Sequence, residues 1–328
     1  MVQEVASALG IDYLHGYWQR GRHIADAPKG PLDLDHALLS GVRINILETM
    51  RFLHDGNPSF EEFEAWILER NGGSIEEAAL DRLRRALRGE TVGSEIGSLE
   101  NIEGLSESDL RHWDEHGYVV LKNAVTREQA KAAEMAIYDY LEMDPHQPES
   151  WYGGRQGHSI WVSLLRHPAF WATRRSPRLI KAFAQLWGRE DLWVTVDQGG
   201  LNPPERPGWK FPGPRLHWDT TIAPPHYFGI QGILYLADVA EDQGAFTCIP
   251  GFHRELSSWL ESLPADANPR DAIFQVGGAR PIAACAGDMV LWHQSLPHGS
   301  SPNRAARPRV AQYITMKPTR WQHNDVWR

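Results

Sequence analysis

The chain has 328 residues, of which 42% are hydrophobic, and this is enough for one large domain with an accessory segment. Its formal net charge of −9 at pH 7 argues against general nucleic-acid binding and against attraction to an anionic membrane, since both need a basic surface. No stretch approaches the roughly 18 consecutive apolar residues of a membrane span.

Cysteine usage and the N-terminal sequence predict a cytoplasmic protein. The two cysteines, Cys248 and Cys285, form neither a disulfide framework nor a metal-binding spacing. The first residues, Met1 to Glu4, lack the basic region and the apolar run of a signal peptide.

Residues 1–100 are predicted to form an N-terminal helical segment. Apolar residues at helical spacing predict one helix from His36 to His54. The capping-box patterns Ser59-x-x-Glu62 and Ser74-x-x-Glu77 predict the starts of two more helices. Three roles stay open for this segment: a lid, a homodimer contact and a support for the sheet.

Residues 101–328 are predicted to form the second domain, after a linker over residues 89–104. A helix leads into a strand at Tyr118–Lys122, and Thr126-x-x-Gln129 caps a further helix. Short apolar strands dominate after Leu192, which predicts an α+β fold with a sandwich-like or barrel-like β core.

The pattern His-x-Asp occurs three times, and its context differs at each place. His112-x-Asp114 falls in a predicted helix, where residues i and i+2 point about 200° apart and cannot share an ion. His323-x-Asp325 is predicted to be an exposed tail. His217-x-Asp219 follows a Pro/Gly-rich loop, and on an extended segment both side chains project to the same side. We therefore select His217 and Asp219 as metal ligands.

A third candidate ligand, His298, and a positively charged side chain, Arg309, lie downstream of this pair. His298 follows a predicted buried strand and leaves enough chain after Asp219 for a return to the same site. Two imidazoles and one carboxylate form the facial triad that binds Fe(II) and leaves other coordination positions open. Arg309 lies in an alternating strand, where a buried guanidinium needs an anionic partner. A dicarboxylate that chelates iron at one end could be held by Arg309 at the other.

These motifs, in this order, resemble the phytanoyl-CoA dioxygenase family of Fe(II)- and 2-oxoglutarate-dependent oxygenases. The resemblance covers roughly residues 105–317 and rests on five stretches: Gly117 to Leu121, His217-x-Asp219, Gln243 to His253, His298-Gly299-Ser300-x-x-Asn303 and Arg309-x-x-x-Tyr313. It implies a double-stranded β-helix (a jelly-roll or cupin-like core) flanked by helices, to which the N-terminal segment is an addition. It implies the cosubstrates 2-oxoglutarate and O2.

Carried over residue by residue, the resemblance implies iron on His217, Asp219 and His298. It implies the far carboxylate of 2-oxoglutarate on Arg309, with Ser300 as a helper and Tyr235 beside the cosubstrate. The activity expected is oxidation, by default hydroxylation, of a small molecule with release of succinate and CO2. Two alternatives stay open. One is a small-molecule-binding protein that has the same core without a redox role, and the other is a Zn or Ni hydrolase that uses the same three ligands.

The sequence does not name the substrate, which could be a free metabolite, an amino-acid derivative or a natural-product intermediate. Residues close to the motif strands and loops are candidates for substrate contact. They are Trp161, Gln198, Asn202, Trp209, Trp218 and Gln231. No nucleic acid and no membrane is expected as a partner.

Overall fold

The computed structural model describes residues 7–152, 160–324 and 326. Its α-helices are, in chain order, α1 (Asp12–Gly21), α2 (Leu32–Gly41), α3 (Ile46–Gly56), α4 (Phe60–Arg70), α5 (Glu77–Leu87), α6 (Glu107–His116), α7 (Arg127–Leu141), α8 (Pro168–Arg174), α9 (Pro177–Trp187), α10 (Phe252–Ser262) and α11 (Pro269–Ala272). Its strands are β1 (Tyr118–Leu121), β2 (Trp161–Val162), β3 (Leu192–Val194), β4 (Gly199–Asn202), β5 (Ile230–Tyr235), β6 (Phe246–Cys248), β7 (Arg280–Pro281), β8 (Met289–His293), β9 (His298–Ser300), β10 (Arg309–Tyr313) and β11 (Met316–Pro318). None of these helices combines the length and the apolar composition needed to cross a bilayer.

The chain forms two compact units. The first comprises the described residues of Met1–Glu100 together with Trp187–Val196 and Met316–Trp321. It holds helices α1 to α5 and the antiparallel pair β3–β11. The two later segments belong to this unit although they lie far along the chain, so the predicted division at residue 100 did not include them.

The helix predicted from His36 to His54 is two helices, α2 and α3. The chain breaks between them because Arg43 adopts a left-handed φ of 56°, which interrupts the helix. The Asn45 side chain then accepts a hydrogen bond from the Glu48 backbone N–H and begins α3. A helix starts at Ser59 with the predicted capping box, whereas α5 begins after Glu76 and not at Ser74.

The second unit contains two antiparallel sheets. The larger has the strand order β1-β8-β5-β10-β4-β2, and the smaller has the order β7-β6-β9. Inward-facing side chains of both sheets meet in one apolar core. Its members include Ile233, Tyr235, Phe246, Cys248, Val290, Trp292 and Ala311.

The register of the larger sheet decides which polar residues share a face with this core. Ala311 is paired with Tyr235 and with Gly200. Because side chains alternate along a strand, Arg309 and Tyr313 lie on the same face as Ala311. A charged side chain, which is fully buried, and a phenolic side chain, which is half-buried, therefore lie on the inward face of β10.

Candidate metal and cosubstrate site

Two histidines far apart in sequence are joined by their main chains. The His217 N–H donates to the His298 carbonyl at 2.8 Å, and the His298 N–H donates to the His217 carbonyl at 3.0 Å. This antiparallel bridge continues the smaller sheet beyond β9. It fixes the two imidazoles side by side, with ring centroids 4.7 Å apart.

Each imidazole is oriented by a hydrogen bond at its Nδ1 atom. His217 Nδ1 lies 2.7 Å from the Arg215 carbonyl, and His298 Nδ1 lies 3.0 Å from the Leu296 carbonyl. A carbonyl oxygen can only accept, so each Nδ1 carries the proton and donates. The Nε2 lone pair of each neutral ring is then free for a metal ion.

Asp219 completes the group. Its Oδ1 lies 3.1 Å from His217 Nε2, and its Oδ2 lies 3.2 Å from His298 Nε2 across 79 residues of sequence. The three ligand atoms all lie within 4.8 Å of one another. The structure thus brings together the predicted metal ligands as a set of two imidazole nitrogens and one carboxylate.

Electrostatics in this group favours a cation at its centre. Desolvation by the enclosing walls would raise the pKa of Asp219, but contacts with the two imidazoles hold that pKa well below its usual range. Desolvation would likewise lower the pKa of His217, but the hydrogen bond and charge of Asp219 raise it. The attraction that favours a proton between these atoms also favours a metal ion.

The Asp219 carboxylate has a further partner outside the triad. Gln231 Nε2 donates to Asp219 Oδ2 at 2.6 Å. The Oε1 atom of the same amide accepts from Trp292 Nε1 at 3.2 Å. Gln231 and Trp292 are direct neighbours on β5 and β8.

Arg309 is fully buried, with 0% of its surface exposed. Its guanidinium donates to Ser300 Oγ at 3.0 Å, to the Gly244 carbonyl at 3.2 Å and to the Tyr313 hydroxyl at 3.4 Å. All three acceptors are neutral, and no carboxylate of the described residues forms an ion pair with it. A buried guanidinium without an anion is costly, so its surroundings suit an anionic ligand.

One cavity of about 260 Å³ connects the triad to the partners of Arg309. This volume lies just below the roughly 300–1,000 Å³ typical of small-molecule pockets. Its wall includes Trp161, Gln198, His217, Asp219, Gln231, Phe246, Trp292, His298, Ser300 and Tyr313. Ser300 and His298 both face it because they are two residues apart on β9.

Three of the predicted substrate residues, Trp161, Gln198 and Gln231, line this cavity, and the other three are not among its lining residues. Trp218 is buried against Phe252 and Trp259. Asn202 is buried, and its amide donates to the Ser301 carbonyl. Trp209 packs edge-on against Tyr152. Position near a motif strand did not determine which way these side chains point.

Tyr235 is a correction to the predicted cosubstrate contacts. It is fully buried, and its hydroxyl donates to the Ile282 carbonyl and accepts from the Phe246 N–H, each at 2.9 Å. The hydroxyl therefore uses both its donor and an acceptor position for partners within the core. The phenol that faces the cavity next to Arg309 is Tyr313, which belongs to the motif Arg309-x-x-x-Tyr313 but is not among the predicted site residues. Its even spacing from Arg309 on one strand was the available signal.

The other two copies of His-x-Asp form no such site among the described residues. His112 lies in α6 as predicted, and its ring contacts His116 one helical turn away. Asp325 of the third copy lies outside the described residues.

Comparison with known proteins places the chain in one family. A sequence model of the phytanoyl-CoA dioxygenase (PhyH) family matches residues 113–311. A Dictyostelium discoideum protein named as a phytanoyl-CoA dioxygenase is 25% identical over 273 residues, covering 64% of this chain and 77% of that protein. The Ava biosynthesis cluster protein O of Aspergillus versicolor is 23% identical over 249 residues, covering 62% of this chain and 75% of that protein.

A solved structure shares the fold. The non-haem α-ketoglutarate-dependent carbocyclase SnoK of nogalamycin biosynthesis superposes with a TM-score of 0.51 and 19% identity, over 69% of this chain and 88% of that one. At this identity, the likeness concerns the fold alone.

Proposed function

Since the chain belongs to the phytanoyl-CoA dioxygenase family, we propose that it is a non-haem, Fe(II)- and 2-oxoglutarate-dependent dioxygenase that oxidises a small molecule. The two sheets of the second unit would then form the double-stranded β-helix, or jelly roll. The overall reaction consumes O2 and 2-oxoglutarate, releases succinate and CO2, and hydroxylates the substrate. The observation that carries the proposal is the clustering of His217, Asp219 and His298 in one cavity with the partners of Arg309.

The residues present fit both groups. Two imidazole nitrogens and one carboxylate on one side of a cavity are the donor set of non-haem Fe(II) oxygenases. Gly200 leaves room next to the guanidinium: a Cβ added there would lie 3.4 Å from Arg309 Nη1 and 3.3 Å from the Tyr313 ring. A cosubstrate carboxylate needs such space beside the guanidinium fork.

Each residue has a distinct task in the proposed reaction. The triad would hold Fe(II), while Arg309, Ser300 and Tyr313 would bind the far carboxylate of 2-oxoglutarate. When bound, Fe(II) and 2-oxoglutarate supply the oxidising power from O2 that breaks an unactivated C–H bond. Phe246 and Trp292 contact each other and form an aromatic wall of the cavity, an apolar surface that would help to exclude water when substrate is bound.

Two other functions use parts of the same site. A Zn or Ni hydrolase could use the same three ligands, and binding strength alone would favour Zn(II) over Fe(II). A hydrolase has no use for a buried guanidinium held ready for a second carboxylate, so Arg309 favours the oxygenase. A non-catalytic binding protein would have no use for a metal-ligand set whose imidazoles are both held with Nε2 free.

Succinate release in the presence of candidate substrates tests the proposal. The wild-type protein with Fe(II), 2-oxoglutarate and O2 should form succinate, and His298→Ala should abolish it because one metal ligand is lost. His112→Ala is the matched control, since it changes a His-x-Asp copy in α6 and should leave succinate formation unchanged. Full activity in His298→Ala, or succinate formation driven equally by Zn(II), would contradict the proposal.

Three further proposals concern the location of the protein, its partners and its oligomeric state. We propose a cytoplasmic location, a small-molecule substrate without nucleic-acid or membrane partners, and a homodimer formed through the N-terminal helices. Exposed apolar residues on α3, among them Leu47 and Met50, support the dimer.

A further inference from the structure

Gln231 and Trp292 form a chain of two hydrogen bonds that ends on a metal ligand. Trp292 Nε1 donates to Gln231 Oε1 at 3.2 Å, and Gln231 Nε2 donates to Asp219 Oδ2 at 2.6 Å. We propose that this pair, called here the amide relay, sets the orientation of the Asp219 carboxylate and thereby the affinity of the site for its metal. Gln231 is then a positioning residue and not a substrate contact. The inference rests on the proposed function.

The backbone on either side of Asp219 is held by Arg270, which donates to the Trp218 carbonyl at 2.9 Å and to the Thr220 carbonyl at 3.0 Å, but these bonds do not fix the rotation of the Asp219 carboxylate. Asp219 itself lies in an irregular segment outside every strand, and 51% of its side-chain surface is exposed. The two histidines, by contrast, are fixed by their backbone bridge and by their Nδ1 hydrogen bonds. The carboxylate is therefore the ligand with the most freedom to rotate away.

The relay starts from a rigid point in the larger sheet. Trp292 is only 3% exposed, and its ring packs on Phe246 and on His298 at centroid distances of 4.4 and 4.9 Å. Its strand position lies directly opposite Gln231, so the two side chains project from the same face. Packing thus fixes the position from which the indole N–H is presented.

The chemistry of the three groups allows only one direction of hydrogen bonding. An indole N–H can only donate, so it must meet the amide oxygen of Gln231. The amide nitrogen is then turned towards Asp219, and an ionised carboxylate can only accept. Glutamine provides both the acceptor and the donor, whereas an aliphatic side chain of the same length provides neither.

The consequence is a carboxylate with one oxygen engaged before metal binding. The amide donates to Oδ2, which also lies 3.2 Å from His298 Nε2, while Oδ1 faces His217 Nε2 at 3.1 Å. Outer hydrogen bonds of this kind typically change metal affinity or activity by about 10- to 100-fold. We expect a loss of this size in Gln231→Met, which keeps the length of the side chain and removes both polar atoms.

Anaerobic titration with Co(II), followed by its visible d–d absorption and without cosubstrate, measures the affinity apart from turnover. Gln231→Met should bind Co(II) about 10- to 100-fold more weakly than the wild type. Gln198→Met changes the same residue type in the same cavity and should bind Co(II) as tightly as the wild type.

A double-mutant cycle shows whether the indole acts through the amide. Trp292→Phe should weaken Co(II) binding in the wild-type background, and it should have a smaller effect in the Gln231→Met background, where only ring packing remains to be lost. Equal effects in both backgrounds would overturn the relay. Should Gln231→Met fail to fold, Trp292→Phe alone decides, and wild-type affinity in that variant overturns the relay.

The outcomes separate this inference from the proposed function. Tight Co(II) binding in both the wild type and Gln231→Met would overturn the relay and leave the oxygenase proposal intact. No Co(II) binding by the wild type would overturn both.

Discussion

Arg309 makes the sharpest prediction because its charge is buried and no carboxylate of the described part of the chain pairs with it. We consider Arg309→Met, which replaces the guanidinium by an apolar chain of similar length. Removing one partner of a buried charge pair costs roughly 2–5 kcal/mol. At about 1.4 kcal/mol per tenfold, 2-oxoglutarate should bind the variant about 30- to several-thousand-fold more weakly.

The choice of ligand separates this effect from general damage to the site. 2-Oxopentanoate keeps the chelating 2-oxo acid but carries a methyl group where 2-oxoglutarate has its far carboxylate. Calorimetry on the anaerobic Co(II) protein should show a strong preference of the wild type for 2-oxoglutarate, and little preference in Arg309→Met. The variant should bind 2-oxopentanoate about as well as the wild type does.

Arg174 offers a matched control because it is a second fully buried arginine in the second unit. Its guanidinium donates to the carbonyls of Leu165 and Asp197, and desolvation lowers its pKa to about 10. Arg174→Met should lower the melting temperature and retain the preference for 2-oxoglutarate. The reasoning would be refuted if Arg309→Met kept the wild-type preference, or if Arg174→Met lost it equally.

Three further predictions follow from the same structure. Tyr313→Phe should weaken 2-oxoglutarate binding by about 2- to 10-fold through one lost hydrogen bond, as measured by calorimetry. Tyr235→Phe should leave 2-oxoglutarate binding unchanged and lower the free energy of unfolding by about 1–3 kcal/mol, as measured by denaturant unfolding. Gly200→Ala should weaken 2-oxoglutarate binding several-fold, since the added methyl would fill the space beside the Arg309 guanidinium and lie 3.3 Å from the Tyr313 ring. Unchanged affinity would place the cosubstrate elsewhere. Desolvation lowers the pKa of His293 from its ordinary 6.5 to about 4. The unfolded chain therefore binds a proton there that the folded protein does not, so wild-type stability should fall by roughly 3 kcal/mol as pH drops from 6.5 to 4. His293→Gln should lose that part of the pH slope in thermal unfolding.

The positions of the candidate site residues could be predicted from the sequence where they depend on residue type and on the alternation of side chains along an extended segment. His217 and Asp219 share a side because they are two residues apart on an extended segment, and the structure places their ligand atoms 3.1 Å apart. Arg309 was predicted from the cost of a charge in an apolar strand, and it is indeed fully buried. Trp218, between the two ligands, points the opposite way into the core, as alternation requires.

The sequence did not predict contacts that depend on the pairing of distant strands. Tyr235 and Tyr313 are both aromatic residues on buried strands, and only their places along paired strands show that Tyr313 reaches the cavity while Tyr235 stays in the core. The partnership of Gln231 and Trp292 likewise requires the β5–β8 register. The break between α2 and α3 was missed because apolar spacing continues through Arg43, whose left-handed φ is a local backbone feature.

An anaerobic crystal structure with Fe(II) and 2-oxoglutarate tests the central claim most directly. Anomalous scattering at the iron edge should place one metal ion bound by His217, Asp219 and His298. The cosubstrate should chelate that ion at one end and meet Arg309 with its far carboxylate. Iron at any other position, or a cosubstrate that leaves Arg309 without a carboxylate, would contradict the account.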